Sequence, residues 1–436
     1  MSKIIKISVG LKSTNQYKIC VIGLGYVGLP LARLFSTKFR TIGFDVDKRR
    51  VDALMNCEDS TKEVDKQQLE DAIANHGFRC TTEEKDISDC NFYIVAVPTP
   101  IDENNRPDLK PLQEASRVVG RVIGKNDIVV YESTVYPGMT EEECIPIVEK
   151  VSGLKYNVDF FAGYSPERIN PGDKNHTVET IKKVTSGSTS EIADIVDGIY
   201  NQVLINGTHK APSIKVAEAS KIIENTQRDV NIAFFNELAK ICNAMGIDTH
   251  DVIDAASTKW NFVKLNPGLV GGHCISVDPY YLIQKAQVYG VMPRVMYDAR
   301  KLNDGMGDYV ANQVVKCMNK KGVLVKDASI LILGFTFKEN CPDIRNTKVA
   351  DIFHTLTEYT SNITVCDPHA DADKVRSIYG ISLNKVIPSA KYDAVVLAVA
   401  HDEFKNISVI NLKKNPSSVV YDVKGVWNRE EVDGRL

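Results

Sequence analysis

A glycine-rich turn between a strand and a helix constrains the fold of this chain more than any other feature. The apolar run KICVIG (18–23) leads directly into GLGYVG (23–28), and LPLA then opens a helix. Gly23 permits the tight turn, Gly25 lets the backbone approach a pyrophosphate, and Gly28 allows the helix to pack closely on the strand. This context predicts the start of a doubly wound α/β domain that binds a dinucleotide.

A carboxylate beyond this turn indicates which dinucleotide is bound. Asp45 ends the second apolar run, RTIGFDVD (40–47), 22 residues after Gly23. A carboxylate at this position can bind the ribose hydroxyls of the adenosine and repels a 2′-phosphate, so the sequence favours NAD over NADP. Lys48 and Arg50 follow, and each is expected either to contact the adenosine end or to lie on the surface as a solvated charge.

Apolar runs alternate with helical segments in two regions of the chain. Near-continuous apolar runs are typical of a parallel sheet covered by helices on both faces. The predicted strands are 18–23, 40–47, 90–98, 126–133 and 157–167 in the first region and 327–335, 361–368, 392–400 and 417–425 in the second. The predicted fold class is therefore α/β, with two Rossmann-like doubly wound domains joined by a long central helix and a helical domain.

The central helix is predicted from apolar positions that recur at helical spacing over 212–246, where Gly246 is a good residue to end it. About 33 residues at about 1.5 Å each give roughly 50 Å, enough to join two domains. The predicted regions are an N-terminal extension (1–16), an NAD-binding domain (17–205), a central helical domain with the cysteine loop described below (206–319) and a second Rossmann-like domain (320–436).

Charge and cysteine content argue against several classes of protein. With 53 Lys and Arg against 56 Asp and Glu, the net charge of −3 gives no general attraction for nucleic acid or anionic lipid. No apolar run approaches the roughly 18 residues of a membrane span, and the first residues lack the apolar core of a signal peptide. The ten cysteines have no metal-site spacing. We expect a cytoplasmic protein with reduced thiols, no metal, and neither nucleic acid nor membrane as a partner.

One cysteine differs from the rest in its surroundings. Cys274 lies in PGLVGGHCISVDPYY (267–281), a loop rich in Gly and Pro that core packing does not explain. A nucleophilic thiol beside a dinucleotide fold suggests oxidation through a covalent carbonyl adduct. For the adjacent His273, a structural or substrate-contacting role is favoured over that of a base. Lys221 and Asn225 are four residues apart on one face of the long helix, so both can point at one site.

With these residues the chain resembles the UDP-glucose/GDP-mannose dehydrogenase family from about residue 17 to the end. The landmarks occur in order: GLGYVG, Asp45, VPTP, ESTVYPG, SPERI, EASKIIEN, GGHCISVDPYY and GFTFKENCPDIRNT. TKWNF (258–262) with the cysteine loop is similar to the bacterial branch that oxidises UDP-N-acetylhexosamines. The resemblance implies that 320–436 binds the UDP-sugar, and it favours a homodimer through the central helix, although core packing within one chain would give the same apolar pattern.

The resemblance also implies a reaction: oxidation of the sugar C6 alcohol to a carboxylate with two NAD and one water, for capsule or O-antigen polysaccharide. Cys274 is expected to attack the intermediate aldehyde, and the resulting thioester to be hydrolysed by water that Glu167, alone or with Asp278, activates. The groups expected to stabilise the oxyanion of the first step are Lys221, Asn225, Asp278 and a water held by Thr134.

Binding contacts are carried over from the same motifs. The resemblance implies that Lys338 and Arg345 contact the sugar nucleotide and the cofactor. The alternative is that both form surface ion pairs. The expected cofactor contacts are Gly23, Gly25, Tyr26, Val27, Gly28, Asp45, Arg50, Pro98, Thr99, Thr134 and Arg345. The expected substrate contacts are Glu167, Arg168, Lys221, Asn225, Gly271, His273 and Lys338.

Two positions depart from relatives and bear on specificity. Ser276 stands where close relatives often have Gly, which is expected to tighten the loop around Cys274. Val277 replaces a cofactor-contacting Lys of the UDP-glucose branch, which argues against UDP-glucose as substrate. A UDP-glucose or GDP-mannose dehydrogenase, a single-step hydroxyacid dehydrogenase and a non-catalytic nucleotide-sugar sensor remain alternatives, and the C4 epimers GlcNAc and GalNAc are not separated.

Overall fold

Two compact units make up the described part of the chain. The computed structural model describes residues 16–102, 106–169, 177–272 and 274–436. Of these, the first unit contains the residues up to Glu224 together with Tyr280–Lys285, and the second contains those of Asn225–Pro279 and Ala286–Leu436. This division does not test the predicted domain limits, which stay predictions, and residues 1–15 of the predicted N-terminal extension lie outside the described residues.

The first unit is built on a sheet whose described strands number eight. They are β1 (Lys18–Ile22), β2 (Arg40–Phe44), β3 (Arg79–Thr81), β4 (Phe92–Val95), β5 (Ile128–Tyr131), β6 (Phe161–Tyr164), β7 (Lys183–Gly187) and β8 (Thr208–Lys210). Their order is β3-β2-β1-β4-β5-β6-β7-β8, and neighbours run parallel except β6 and β7. The strand order reverses direction between β1 and β4, and ligands of such sheets bind at this kind of switch point.

Helices cover this sheet because its strands are apolar on both faces. The helices up to the middle of the chain are α1 (Gly28–Ser36), α2 (Lys48–Met55), α3 (Lys66–His76), α4 (Lys110–Val122), α5 (Ile145–Ser152), α6 (Ser190–Asn201) and α7 (Ile214–Met245). Ile19 and Val21 of β1 are fully buried in the same cluster as Leu31 and Phe35 of α1. This packing places the first turn of α1 at the carboxyl end of β1, where the glycine-rich turn lies.

The second unit contains a parallel sheet with six described strands in the order β11-β10-β9-β12-β13-β14. The strands are β9 (Ile330–Leu333), β10 (Ile363–Cys366), β11 (Leu383–Asn384), β12 (Ala394–Leu397), β13 (Val419–Asp422) and β14 (Gly434–Arg435). The remaining helices are α8 (Thr249–Ala256), α9 (Asp278–Val288), α10 (Arg294–Asp304), α11 (Met306–Lys320), α12 (Val349–Thr357), α13 (Ala372–Tyr379) and α14 (Asp402–Lys405). The switch point here lies between β9 and β12.

The predicted fold class is confirmed, since there are two doubly wound sheets and one long helix, α7, which ends before Gly246. Each predicted strand contains an observed one. The five strands predicted for the first sheet pair in parallel, as expected. The prediction missed β3, β7, β8, β11 and β14, of which β7 runs antiparallel to β6. Lys183 opens β7 and interrupts the apolar pattern, while β11 and β14 have only two residues each. Within the described residues, no helix has both the length and the apolar character needed to cross a membrane.

Candidate active site

The glycine-rich turn after β1 has the geometry that its sequence predicts. Gly23 has a φ of +91°, and its N–H donates to Phe44 O at 2.8 Å, which ties the turn to the end of β2. A Cβ at Gly28 would lie 1.8 Å from Gly23 O, so only glycine lets α1 begin against the turn. A Cβ at Gly25 would meet no atom within 4 Å, and this open face can admit a pyrophosphate. The intervening Tyr26 and Val27 are half-buried.

Asp45 holds the same turn from the end of β2. Its carboxylate accepts the N–H of Leu24 at 2.8 Å and the N–H of Asp47 at 2.9 Å. An ionised carboxylate has about four lone-pair sites, so acceptor capacity is left for ribose hydroxyls. The open face at Gly25 and the carboxylate at Asp45 therefore fit NAD.

The two basic residues after Asp45 have different surroundings. Arg50 is ion-paired with Asp59 at 2.8 Å and donates from Nε to Leu24 O at 2.9 Å, with only 11% of its side chain exposed. Its interpretation as a solvated surface charge was wrong, because Asp59 and the turn itself bind it. Lys48 pairs with Asp52 at 2.8 Å on the surface. Contact of either residue with the adenosine stays a prediction.

The segments after β4 and β5 lie side by side at the same edge of the sheet. Ser133 Oγ donates to Val97 O at 2.7 Å, which joins the two segments. Thr99 is buried, Thr134 is half-buried, and Pro98 is exposed. Because carboxyl ends of parallel strands form the ligand edge of such sheets, the predicted cofactor contacts at these positions have the placement they require.

Glu167 lies after β6 in a buried cluster of charged groups that the sequence did not predict. Lys183 Nζ donates to Glu132 at 2.5 Å and to Glu167 at 3.1 Å, and Tyr200 Oη donates to Glu132. Burial acts to raise the pKa of Glu167, but the Lys183 ammonium and backbone N–H groups outweigh it, and the net shift is downward. Burial raises the pKa of Glu132 to about 7, although Lys183 opposes the rise.

The first half of α7 is attached to these strand ends. Glu218 accepts the N–H groups of Gly138 and Thr140 at 2.5 and 2.9 Å, in the segment after β5. Glu224 is ion-paired with Arg168 at 2.8 Å, in the segment after β6. Lys221 is buried on α7 between these two attachments. The helix therefore holds Lys221 close to the ligand edge of the first sheet.

The loop that contains Cys274 forms a tight turn in the second unit. The N–H groups of Val277 and Asp278 donate to Cys274 O at 3.1 and 2.8 Å, and Asp278 then begins α9. Asn225 Nδ2 donates to the Asp278 carboxylate. Cys274 is half-buried, and all ten cysteines, each within the described residues, are thiols without disulfides. The predicted His273 lies outside the described residues.

This loop packs against the segment that follows β9. Gly272 donates from its N–H to Arg345 O at 3.0 Å, and Asn346 Nδ2 donates to Gly272 O at 2.9 Å. A Cβ at Gly271 would lie 2.6 Å from Asn346 O, so the close approach of the two backbone segments requires glycine at this position. Ser276 Oγ also donates to Gly272 O, a contact that a glycine at this position would lack. The expected tightening of the loop by Ser276 stays a prediction.

A buried polar network supports the loop on its other side. Arg300 pairs with Asp229 and donates to Ile275 O at 3.3 Å, the carbonyl next to Cys274. Asn303 donates to the Asp229 carboxylate at 2.7 Å, and both residues are fully buried. These residues hold the loop backbone, and nothing in their contacts requires a substrate.

A pocket at the carboxyl ends of β9, β12 and β13 marks the ligand edge of the second sheet. Its lining includes Leu269, Gly271, Phe337, Lys348, Val399 and Lys424. Lys424 Nζ is 2.8 Å from Glu339, Lys338 Nζ lies over the Phe337 ring, and the Arg345 guanidinium pairs with Asp343. The ion-pair alternative therefore holds for Arg345, and its contact with a cofactor stays a prediction. Among the described residues, no group of His, Cys, Asp and Glu side chains is arranged to hold a metal ion.

Asp367 and His401 fix the segment that carries Lys338, and the sequence did not predict them. Asp367 accepts the N–H groups of Phe335 and Thr336 at 2.6 and 3.0 Å and pairs with His401 Nε2 at 2.9 Å. His401 Nδ1 accepts the N–H of Asn340 at 2.9 Å. Burial opposes ionisation of Asp367, but His401 and the backbone N–H groups lower its pKa on balance. An acidic residue at the end of β10, placed like Asp45 at the end of β2, was the signal available.

Three features together are typical of NAD-dependent dehydrogenases. They are the dinucleotide-binding turn after β1, the second doubly wound sheet and the Cys274 thiol in the turn before α9. Family models of the UDP-glucose/GDP-mannose dehydrogenase family match the chain in three stretches: the NAD binding domain at residues 17–204, the central domain at 215–305 and the UDP binding domain at 331–429. The chain belongs to the UDP-glucose/GDP-mannose dehydrogenase family. The predicted family and the predicted cofactor, NAD, are confirmed.

Individual relatives match over almost the whole chain. It is 55% identical to UDP-N-acetyl-D-glucosamine 6-dehydrogenase of Pseudomonas aeruginosa, over 97% of this chain and 100% of the relative. It is 52% identical to the protein of the same name from Salmonella typhi, over 97% of this chain and 99% of the relative. The solved structure of the UDP-D-ManNAc dehydrogenase of Pyrococcus horikoshii superposes with a TM-score of 0.85 at 25% identity, covering 94% of this chain and 96% of that one.

Two glycine substitutions in the turn are expected to have separable effects. Gly28→Ala should lower the free energy of unfolding by about 1–3 kcal/mol, because the new methyl group overlaps Gly23 O. Gly25→Ala should leave the thermal midpoint unchanged and weaken NAD binding about tenfold or more, because its methyl group fills the open face. Thermal unfolding and calorimetric NAD titration measure the two effects. Equal midpoints for Gly28→Ala and wild type, or unchanged NAD affinity in Gly25→Ala, would contradict this account.

Proposed function

We propose that this protein oxidises the C6 alcohol of a UDP-N-acetylhexosamine, UDP-GlcNAc or UDP-GalNAc, to the uronate through a thioester on Cys274. The observation that carries the proposal is the turn before α9. In this turn the N–H of Asp278 donates to the carbonyl of Cys274, and the side-chain amide of Asn225 donates to the Asp278 carboxylate. A thiol and a carboxylate therefore share one turn, and an amide of α7 binds the carboxylate. Covalent oxidation of an aldehyde needs this set of groups. The names of the two relatives at 55% and 52% identity support the N-acetylhexosamine.

In the first oxidation the C6 hydroxyl must lose its proton as its carbon loses a hydride, and NAD, when bound, accepts the hydride in each of the two oxidations. The negative charge that develops on the oxygen needs donors. Lys221 supplies a cation, Asn225 an amide N–H, and Thr134 a hydroxyl that can hold a water. Asp278, bound by Asn225, completes the set of groups that handle the alcohol proton.

In the second oxidation Cys274 Sγ bonds to the aldehyde carbon, and the aldehyde oxygen takes up a proton to give a thiohemiacetal. Loss of the second hydride and of the hydroxyl proton leaves a thioester. Water then attacks the thioester carbon, Glu167 accepts the proton of the water, and the C–S bond breaks to return the thiolate. Asp278 is the second candidate for activating this water. A covalent intermediate keeps the reactive aldehyde on the enzyme between the two steps.

The remaining contacts are proposed from the family motifs and their positions at the ligand edges. Arg168, Gly271, His273 and Lys338 are assigned to the sugar nucleotide, together with Glu167, Lys221 and Asn225. The cofactor is assigned to Gly23, Gly25, Tyr26, Val27, Gly28, Asp45, Arg50, Pro98, Thr99, Thr134 and Arg345. We place the reaction in capsule or O-antigen polysaccharide synthesis. We place it in the cytoplasm, where a nucleophilic thiol stays reduced.

Removal of the thiol is expected to stop the reaction after the first oxidation. Cys274→Ala should bind NAD with unchanged affinity and release no uronate, because no thioester can form. Chromatographic measurement of the uronate, with NADH followed by absorbance, tests this. Cys317→Ala, at another half-buried cysteine of the same unit, should behave like wild type. Two NADH for each sugar consumed by Cys274→Ala would refute the covalent route.

The sugar specificity can be measured directly. UDP-GlcNAc or UDP-GalNAc is expected to give the highest kcat/KM, about tenfold or more above UDP-glucose and GDP-mannose, because Val277 replaces the Lys of the UDP-glucose branch. NADH-coupled assays on these four nucleotides, with the NADH formed per sugar recorded, provide the comparison. A higher kcat/KM for UDP-glucose or GDP-mannose would replace the proposed substrate with that sugar nucleotide.

We propose further that α7 forms a homodimer interface. Val216, Ile223, Phe234, Ile241 and Met245 are exposed apolar residues at intervals of 7, 11, 7 and 4, so they form one stripe along the helix. Core packing within one chain would have buried such a stripe, yet Phe234 is 60% exposed and Met245 66% exposed. A second copy of the same helix matches the stripe in both length and apolar character.

A charge on this stripe is expected to separate the copies. Ile241→Glu should shift the molar mass in solution from that of a dimer to that of a monomer, because a buried unpaired carboxylate is costly at an interface. Light scattering coupled to gel filtration measures the mass. Leu324→Glu, at an exposed apolar residue that is not part of α7, is the matched control and should stay dimeric. A wild-type monomer, or a dimer in Ile241→Glu, would contradict the proposed interface.

A further inference from the structure

The cluster of Glu132, Glu167, Lys183 and Tyr200 contains more charge than the proposed reaction uses. All four side chains lie in the first unit, at the ends of β5 and β6, at the start of β7 and on α6. Lys183 and Tyr200 are fully buried, and Glu132 and Glu167 are 1% and 6% exposed. In the proposed function only Glu167 has a role, as the base that activates water.

The contacts of Lys183 use its whole ammonium group. Nζ donates to Glu132 Oε2 at 2.5 Å, to Glu167 Oε2 at 3.1 Å and to Pro166 O at 3.2 Å. Glu167 Oε1 accepts the N–H groups of Arg168 and Ile169 at 2.6 and 2.8 Å. Both oxygens of Glu167 therefore have donors, and the orientation of its carboxylate is fixed by groups on β7 and on its own turn.

The charges in the cluster do not balance. One ammonium faces two carboxylates, so the buried set has a net charge of −1 when all three groups are ionised. The titratable groups that face Glu167 are Lys183 from β7, Glu132 from β5 and Tyr200 from α6, while the Arg168 guanidinium is engaged by Glu224 of α7. Lys183 stabilises ionised Glu167. Burial, with repulsion from Glu167, raises the pKa of Glu132 to about 7 against the effect of Lys183, so Glu132 takes up a proton before Glu167 does.

We propose that Lys183 is a positioning residue that keeps Glu167 ionised and oriented to activate water, whereas Glu132 holds the ammonium without setting the charge of Glu167. The proposal rests on the proposed function of Glu167. It assigns different effects to Lys183 and Glu132, although both belong to one cluster. A merely structural cluster would give no such difference, because loss of either residue would then change only the stability of the fold.

A shift that is specific to Lys183 is expected in the acidic limb of the profile of kcat against pH. In Lys183→Met the acidic limb should move to higher pH by about one unit or more, because burial then acts on Glu167 without a compensating cation. In Glu132→Gln the limb should stay near its wild-type position, because Glu132 is already protonated at the pH where Glu167 titrates. Lys183→Arg restores a cation and should return the limb towards its wild-type position.

The experiment measures uronate release by the full-length protein with UDP-GlcNAc and NAD from about pH 3.5 to about pH 9. Intact mass after rapid quenching should show more acyl-Cys274 in Lys183→Met than in wild type, since hydrolysis is the step that slows. Lys210→Met removes an exposed lysine that pairs with Asp194 in the same unit, and its profile should match wild type. Circular dichroism and NAD affinity report whether each variant is folded.

The outcomes separate this proposal from the proposed function. If wild type does not form uronate together with two NADH per sugar, the proposed function itself fails. If wild type forms both but Lys183→Met keeps the wild-type limb, or Glu132→Gln shifts the limb as far as Lys183→Met does, the role of Lys183 is refuted. Where Lys183→Met does not fold, the double variant Lys183→Met with Glu132→Gln decides the matter: a limb at higher pH supports the proposal, and an unmoved limb overturns it.

Discussion

The ligand edge of each sheet depends on a carboxylate at the end of one strand that binds the backbone after the neighbouring strand. Asp45 accepts the N–H of Leu24 at 2.8 Å in the first sheet, and Asp367 accepts the N–H of Phe335 at 2.6 Å in the second. The glycine before each amide has nearly the same φ, +91° at Gly23 and +88° at Gly334, and each donates at 2.8 Å to the last residue of the adjacent strand. Without the carboxylate, the turn would leave buried N–H groups unpaired, which costs about 1–3 kcal/mol each. The same arrangement therefore shapes the dinucleotide turn in one unit and the segment with Lys338 in the other.

The helix α7 supplies side chains that bind loop backbone within each of the two units. In the first unit Glu218 binds the backbone at Gly138 and Thr140. In the second unit Asn236 accepts the N–H of Gly268 at 2.7 Å and donates to its carbonyl at 3.0 Å, which fixes the start of the cysteine loop. Both contacts satisfy backbone groups of loops, which otherwise require water. The polar residues on one side of α7 thus determine loop geometry in each unit, while its exposed apolar stripe is left for association.

The parts of the site that the sequence predicts are those set by local chemistry. The turn at 23–28, the helix over 212–246 and the loop around Cys274 follow from glycine spacing, apolar periodicity and composition, and the structure has each of them. The buried cluster could not be predicted in this way, because Lys183 is 51 residues from Glu132 in sequence and meets it only through the order of β5, β6 and β7. The ion pair of Arg50 with Asp59 was also missed. Asp59 lies beyond the end of α2, in a loop whose path the apolar pattern does not determine.

Stability alone does not account for the cluster around Lys183. Placing charged groups in a protein interior costs several kcal/mol for each ion, and well-packed apolar residues of similar volume are often at least as stable as a buried ion pair. A second carboxylate on the same ammonium makes the unfavourable term larger, since the two acidic groups repel each other at close range. Three further donors bind these carboxylates. The Tyr200 hydroxyl donates to Glu132, and the backbone N–H groups of Arg168 and Ile169 donate to Glu167. An arrangement this costly, placed at the strand ends where ligands of such sheets bind, is explained by control of the Glu167 charge more readily than by support of the fold.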